Sequence, residues 1–263
     1  MTIFQIILLG LIQGLTEFLP ISSSAHLVIF ENLLRVEAHD LSLEVFLHFG
    51  TILAVIYYFR EDLTKMLNSI GERFSSSKEN QESWELIWLI LIGTIPAVLI
   101  GLLFKENIEK SFTSVKFTGA MLFITGIFLW FTRFSKQSKS KIRWWEALII
   151  GLAQAFAMLP GISRSGATIT AGLFLGIEKQ KSAKFSFLLS LPAVLGATLL
   201  KFKDTLSQGI CPATVLIYLI GMITAFIFGY LSIAALLKIL RKGKFEYFGY
   251  YCLLVGILVI IFL

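Results

Sequence analysis

The chain has 263 residues, 56% of them hydrophobic and 15% charged, against about 45–50% and 25% in an average soluble domain. Apolar runs this long and this numerous exceed what one water-facing fold can cover with charge, so the composition excludes a soluble domain and predicts a polytopic membrane protein. The net charge of +6 comes from basic residues in short segments between apolar runs, which reads as membrane topology and not as a nucleic-acid surface.

Residues 2–19 are apolar, with no Lys or Arg before them and no small-residue cleavage pattern after them, so a cleaved signal peptide is not expected. This run meets Pro20 and the Ser22-Ser23-Ser24 cluster and continues into a second short helical stretch. A broken hairpin that enters and leaves on one side fits that pattern, because irregular backbone at membrane depth must be covered by protein or line a cavity. Apolar stretches of spanning length follow at 42–59, 85–104 and 115–133, each near the roughly 20 residues that a bilayer core requires. The polar segment Ser75 to Glu82 between the first two carries no recognisable chemistry.

A second run, 144–158, breaks at Pro160-Gly161 in the same way, and further spans are expected at 183–201, 211–238 and 247–263. The expected fold is an all-α polytopic membrane protein with six transmembrane helices and two re-entrant helical hairpins, forming one membrane domain over 1–263. Cys211 and Cys252 stand alone, with no CxxC spacing, and read as packing residues.

The two broken segments match each other. Gly10, Gln13, Ile21, Ser22 and Ser24 correspond to Gly151, Gln154, Ile162, Ser163 and Ser165 at a constant offset of 141, and Thr51-Ile52-Leu53-Ala54-Val55 echoes Ser190-Leu191-Pro192-Ala193-Val194 at an offset of 139. The chain therefore reads as a duplication, with residues 1–133 as the first repeat and 144–263 as the second. Three spans per unit force opposite orientations, the inverted-repeat arrangement that places a shared site near the midplane. Under this topology sixteen Lys and Arg fall on one side and six on the other, with Arg164 left at depth. The positive-inside rule makes the first side cytoplasmic, so that both termini face outward.

Glu17, His26 and Arg164 are the ionisable residues that this topology buries in the broken elements, where a charge at mid-membrane costs about 2.5–3.5 kcal/mol on insertion scales. Gln13 and Glu17, at i,i+4, share one helical face beside the break. They can address a ligand together or form an interhelical polar contact. Ser22, Ser23 and Ser24 can cap the following helix or help build an anion site at its start. His26, one turn after Ser22, offers an imidazole for nucleophilic or acid–base work.

The second break, Pro160-Gly161-Ile162-Ser163-Arg164-Ser165-Gly166-Ala167-Thr168, has a phosphate-binding composition: glycines for close backbone approach, hydroxyls from Ser163, Ser165 and Thr168, and a guanidinium fork. The alternative role of Arg164 is to neutralise Glu17 across the repeat interface. No GxxxxGK[ST] loop is present. His48 follows Glu44 by four residues, which predicts a structural i,i+4 pair.

At these residues the chain resembles the undecaprenyl-diphosphatase family, also associated with bacitracin resistance, over essentially its whole length. An [E/Q]xxxE element matches Gln13 to Glu17, a PxSSxxH element matches Pro20 to His26, and a PGxSRSGxT element matches Pro160 to Thr168. The resemblance implies hydrolysis of the terminal phosphate of an isoprenyl diphosphate carrier at the outer face of the bacterial plasma membrane, recycling the carrier for cell-wall synthesis. It implies catalytic roles for Glu17, Ser22, Ser23 and His26, and substrate binding by Ser163, Arg164, Ser165, Gly166 and Thr168. It further implies a divalent metal, Mg²⁺ or Ca²⁺, on Glu17 and Gln13. The implied partners are the polyprenyl diphosphate and membrane lipid, with no nucleic acid, and homodimerisation is left open.

This chain departs from many relatives by carrying Gln13 where they carry a glutamate, which removes one negative charge from the expected metal site. The nucleophile stays open among His26, a serine assisted by it, and water. The rival class is a transporter or flippase, because inverted repeats with broken helices also build transporters.

Overall fold

The computed structural model describes residues 2–34, 41–71, 77–208 and 212–263. The expectations placed on Ser75, Ser76 and Cys211 fall outside the described residues, as do Arg35 and Arg73, two of the counted basic residues. Among the described residues the fold is helical throughout, the sole extended pairing being an isolated bridge between Lys139 and Ile177.

The first broken element is α1 (Ile3–Phe18) followed by α2 (Ser23–Leu33). Thr2 starts α1 with a capping box, accepting from Gln5 N at 3.3 Å while the Gln5 side chain takes Thr2 N–H at 2.8 Å. Leu19 ends it in an extended conformation, as expected for a residue whose α region is blocked by the following proline.

α3 (Leu41–Tyr58) runs into α4 (Arg60–Gly71), bent by 75° from it. α5 (Lys78–Leu103), the short α6 (Lys105–Ser111) and α7 (Val115–Phe131) complete the first half, with a 3-10 turn at Thr132–Phe134. The second half comprises α8 (Trp144–Phe156), α9 (Arg164–Phe174), α10 (Lys179–Gln208), α11 (Pro212–Arg241) and α12 (Tyr247–Phe262).

Among the described residues four helices are long and apolar enough to cross a membrane, within Lys78–Leu103, Val115–Phe134, Lys179–Lys201 and Val215–Arg241, or five if the bent α3–α4 pair forms one span. Two of the six expected spans differ from expectation. α3 ends at Tyr58 and turns sharply into the charged amphipathic helix α4, and α12 has 16 residues, about 24 Å at 1.5 Å per residue.

The core centres on α10, where Phe185, Phe187, Leu188 and Leu189 are buried. Phe187 meets Phe18 edge-on at 5.6 Å and Phe59 at 6.0 Å. The outer faces are apolar, with Leu216, Ile223, Ile227 and Leu231 of α11 and Leu254 and Ile261 of α12 exposed, as a lipid-facing surface requires.

Helices approach closely where glycines meet. α1 lies on α11 and α8 lies on α5; a Cβ on Gly10 would strike the Gly221 carbonyl, and one on Gly151 the Gly93 carbonyl. α7 and α12 pack through Gly119 and Gly126 against Gly256 and Gly249, the small-residue contact that lets membrane helices gain dispersion energy and interhelical contact.

Polar ties collect at two ends. At one, Lys184 Nζ lies 2.6 Å from Asp62, Lys139 Nζ 2.9 Å from Glu146, and Lys181 Nζ 2.7 Å from the Ser140 carbonyl. At the other, Lys201 Nζ lies 2.7 Å from Glu44, and Gln5 Nε2 donates to the Leu34 carbonyl at 3.4 Å.

Candidate active site

The two breaks face each other. Ser24 Oγ accepts from Gly161 N–H at 3.3 Å, and Ser165 Oγ donates to the Leu19 carbonyl at 3.2 Å, so each hairpin tip grips the other's irregular backbone. Within each tip the serine at the start of the second helix caps it. Ser22 Oγ accepts from Ala25 N–H at 3.3 Å, and Ser163 Oγ accepts from Gly166 N–H at 3.0 Å. Ser22 is the one described non-glycine residue at positive φ, 67°.

At the junction the Glu17 carboxylate, at the end of α1, collects three donors. Gln13 Nε2 donates at 3.1 Å, Ser23 Oγ donates to the same oxygen, and the Arg164 guanidinium pairs with the other. Both charges are largely withdrawn from solvent, Arg164 less so than Glu17. A buried carboxylate needs such compensation. His48 lies on α3. Its Nδ1 contacts the Glu44 backbone carbonyl at 2.9 Å, while the Glu44 carboxylate turns to Lys201. The expected Glu44–His48 pair thus runs through the backbone and not through the side-chain charge.

His26 lies on the other side of the Ser22-Ser23 turn, with Nδ1 2.8 Å from the Ser22 carbonyl and Nε2 2.7 Å from Tyr251 Oη. The structure therefore joins Gln13, Glu17, Ser23 and Arg164 directly and places His26 beside them through the turn. The remaining second-tip residues brace the loop. Ser163 and Ser165 contact each other at 3.3 Å, and Thr168 Oγ1 donates to the Arg164 carbonyl at 2.8 Å and meets Ser186 Oγ at 2.5 Å. A Cβ on Gly166 would crowd Ser163, the residue that caps this helix.

Three contributors escaped the sequence reading. Thr125 of α7 donates to the Gly161 carbonyl at 3.0 Å and accepts from Ser163 N–H at 3.1 Å. Cys252 of α12 donates to the Pro20 carbonyl at 3.5 Å. Tyr251 reaches His26. All three sit inside apolar runs, where a lone hydroxyl or thiol carries no positional signal.

Residues 6–258 match the family model described as bacitracin resistance protein BacA. The chain belongs to the BacA family. Its relatives include undecaprenyl-diphosphatases from Halothermothrix orenii, 45% identical over 99% of this chain and 98% of the relative, and from Methanobrevibacter smithii, 42% identical over 98% and 97%. Undecaprenyl-diphosphatase 1 of Bacillus cereus is 39% identical over 99% and 98%. Membership of the BacA family, with the apolar helices, makes the chain a multi-pass membrane protein.

Proposed function

We propose that this chain hydrolyses undecaprenyl diphosphate to undecaprenyl phosphate and inorganic phosphate, which recycles the lipid carrier for cell-wall synthesis and confers bacitracin resistance. The observation that carries the mechanism is the Glu17–Arg164 ion pair, formed across two hairpin tips that otherwise hold each other by hydrogen bonds. An incoming diphosphate competes with Glu17 for the guanidinium, whose planar fork matches phosphate oxygens. Arg164 then neutralises charge that grows on those oxygens as the bond to the distal phosphorus breaks.

The hydroxyls divide the remaining work. Ser22 Oγ is used in capping, whereas Ser23 Oγ already donates to Glu17, so Glu17 can accept its proton. His26 presents Nε2, either to attack phosphorus itself or to activate the attacking hydroxyl or water. Acid- and alkali-quenched turnover together distinguish these routes, because a phosphohistidine survives alkali and not acid, a phosphoserine survives acid, and attack by water leaves no phosphoenzyme.

The donor set fits a divalent cation. Gln13 Oε1 is buried without a hydrogen-bond partner beside the Glu17 carboxylate, and such an orphaned carbonyl oxygen suits a hard ion. Among the described residues no group of three or more His, Cys, Asp or Glu comes together, so Gln13 and Glu17 would hold Mg²⁺ or Ca²⁺ jointly with substrate oxygens. The ion's contribution is charge neutralisation at the phosphate.

The fold reading is two inverted repeats, each a re-entrant hairpin plus three spans. Helix contacts support it, since α1 on α11 mirrors α8 on α5, while α3 meets α10 and α7 meets α12. The five polar ties named above support it too, because each links segments assigned to the same side. We place Asp62, Lys139 and Lys184 on the cytoplasmic side and the active site in the plasma membrane, open outward.

Purified protein in detergent should release inorganic phosphate from a polyprenyl diphosphate and lose at least a hundredfold in rate with Glu17→Ala or Arg164→Lys. Lipid binding without phosphate release would instead indicate a transporter.

A further inference from the structure

His26 is held from two sides by groups of opposite hydrogen-bonding character. Nδ1 faces the Ser22 carbonyl at 2.8 Å, and a carbonyl only accepts, so Nδ1 carries the imidazole proton. In the neutral ring Nε2 then bears a lone pair. The group 2.7 Å from it is the hydroxyl of Tyr251, which must be the donor. The two rings are nearly parallel, 8° apart with centroids 5.7 Å from each other.

Tyr251 comes from α12, 225 residues away in the chain. The next residue, Cys252, is bonded to the Pro20 carbonyl, which pins α12 to the break just before Ser22. Tyr251 is 42% exposed, so core packing does not account for its place. Its hydroxyl ends on the one nitrogen of His26 that can do chemistry.

We propose that Tyr251 is the positioning residue of His26. In the free site its hydroxyl donates to Nε2 and fixes the direction in which that lone pair points, and once the reacting group holds Nε2 the hydroxyl stays against the ring edge and limits its tilt. No covalent bond changes in the exchange: Tyr251 keeps its proton, and His26 keeps the one on Nδ1. The inference rests on the reading of His26 as the reacting imidazole. An imidazole tied only at Nδ1 can tilt, and small errors in attack geometry lower the rate of the chemical step more than substrate binding.

The test uses full-length protein in detergent with a polyprenyl diphosphate, comparing wild type, Tyr251→Phe, Tyr251→Leu and His26→Ala. Tyr251→Phe keeps the ring and removes only the hydroxyl. It should lower kcat about tenfold with KM within about twofold, a split expected when an interaction serves the transition state. Its Tm should equal that of wild type, and Tyr251→Leu should be no less impaired in kcat. Wild-type kcat in Tyr251→Phe, or a defect confined to KM, overturns the proposal while an inactive His26→Ala leaves the reading of His26 standing. Full activity in His26→Ala overturns both.

Discussion

Ser22 holds φ at 67° and ψ at 99°, a conformation that costs a residue with a Cβ about 1–3 kcal/mol. That backbone turns the Ser22 carbonyl onto His26 Nδ1 and starts α2 directly after the break. Ser22→Gly relieves the strain and gives up only a few tenths of a kcal/mol of capping. The variant should melt no lower than wild type in a detergent thermal scan, yet release phosphate more slowly, because the freed backbone aims His26 less well. Gln13 makes the opposite case. Gln13→Glu places a second carboxylate where Gln13 Nε2 now donates to Glu17, so the pair repels without a cation and binds one more tightly. Half-maximal activation should need about tenfold less Mg²⁺ or Ca²⁺, and added metal should raise Tm more than in wild type. Both residues stood out in the sequence, but the φ of Ser22 and the orphaned oxygen of Gln13 depend on packing that spacing cannot reveal.

At the scale of elements, the breaks were legible because Pro, Gly and Ser clusters interrupt helices by local sterics. Pro20 forces Leu19 into an extended conformation, and Gly161 adopts φ +97° with the Thr118 carbonyl where a side chain would lie. The bend into α4 was not legible: the apolar run of α3 ends at Phe59, and nothing within the charged segment Arg60 to Gly71 sets its angle, which comes from packing on α5. The α7–α12 contact depends on glycines. A Cβ on Gly249 would lie 2.8 Å from Trp130 N and 2.9 Å from the Gly126 carbonyl, both backbone atoms that cannot step aside. Gly249→Ala should destabilise by about 1–3 kcal/mol, lowering Tm by several degrees, and should reduce activity because α12 carries Tyr251. Gly196→Ala, where nothing lies within 4 Å of the added carbon, is the matched control inside a helix and should lower neither Tm nor activity.

For the whole molecule the prediction concerns sidedness. With both native cysteines replaced, a thiol introduced at exposed Glu106 should react with an impermeant maleimide in intact cells, whereas one at exposed Ser140 should react only after permeabilisation. The reverse pattern would place the Glu17–Arg164 junction on cytoplasmic access and contradict the outward orientation. The basic-residue count predicts this orientation because it reflects how loops insert, whereas the packing of the two halves is the same whichever side they face.

The sequence by itself determined the membrane class, the two breaks and the polar residues at them, because run length and proline or glycine sterics act over a few neighbouring residues. It also carried the family motifs from Gln13 to His26 and from Pro160 to Thr168. Only the tertiary structure decided that Arg164 reaches Glu17 across 147 residues, that Ser23 and not Ser22 binds that carboxylate, and that Tyr251 completes His26. Those contacts depend on how separate helices pack and not on any pattern within one segment, and the glycines that let α7 and α12 close on each other set where Tyr251 stands.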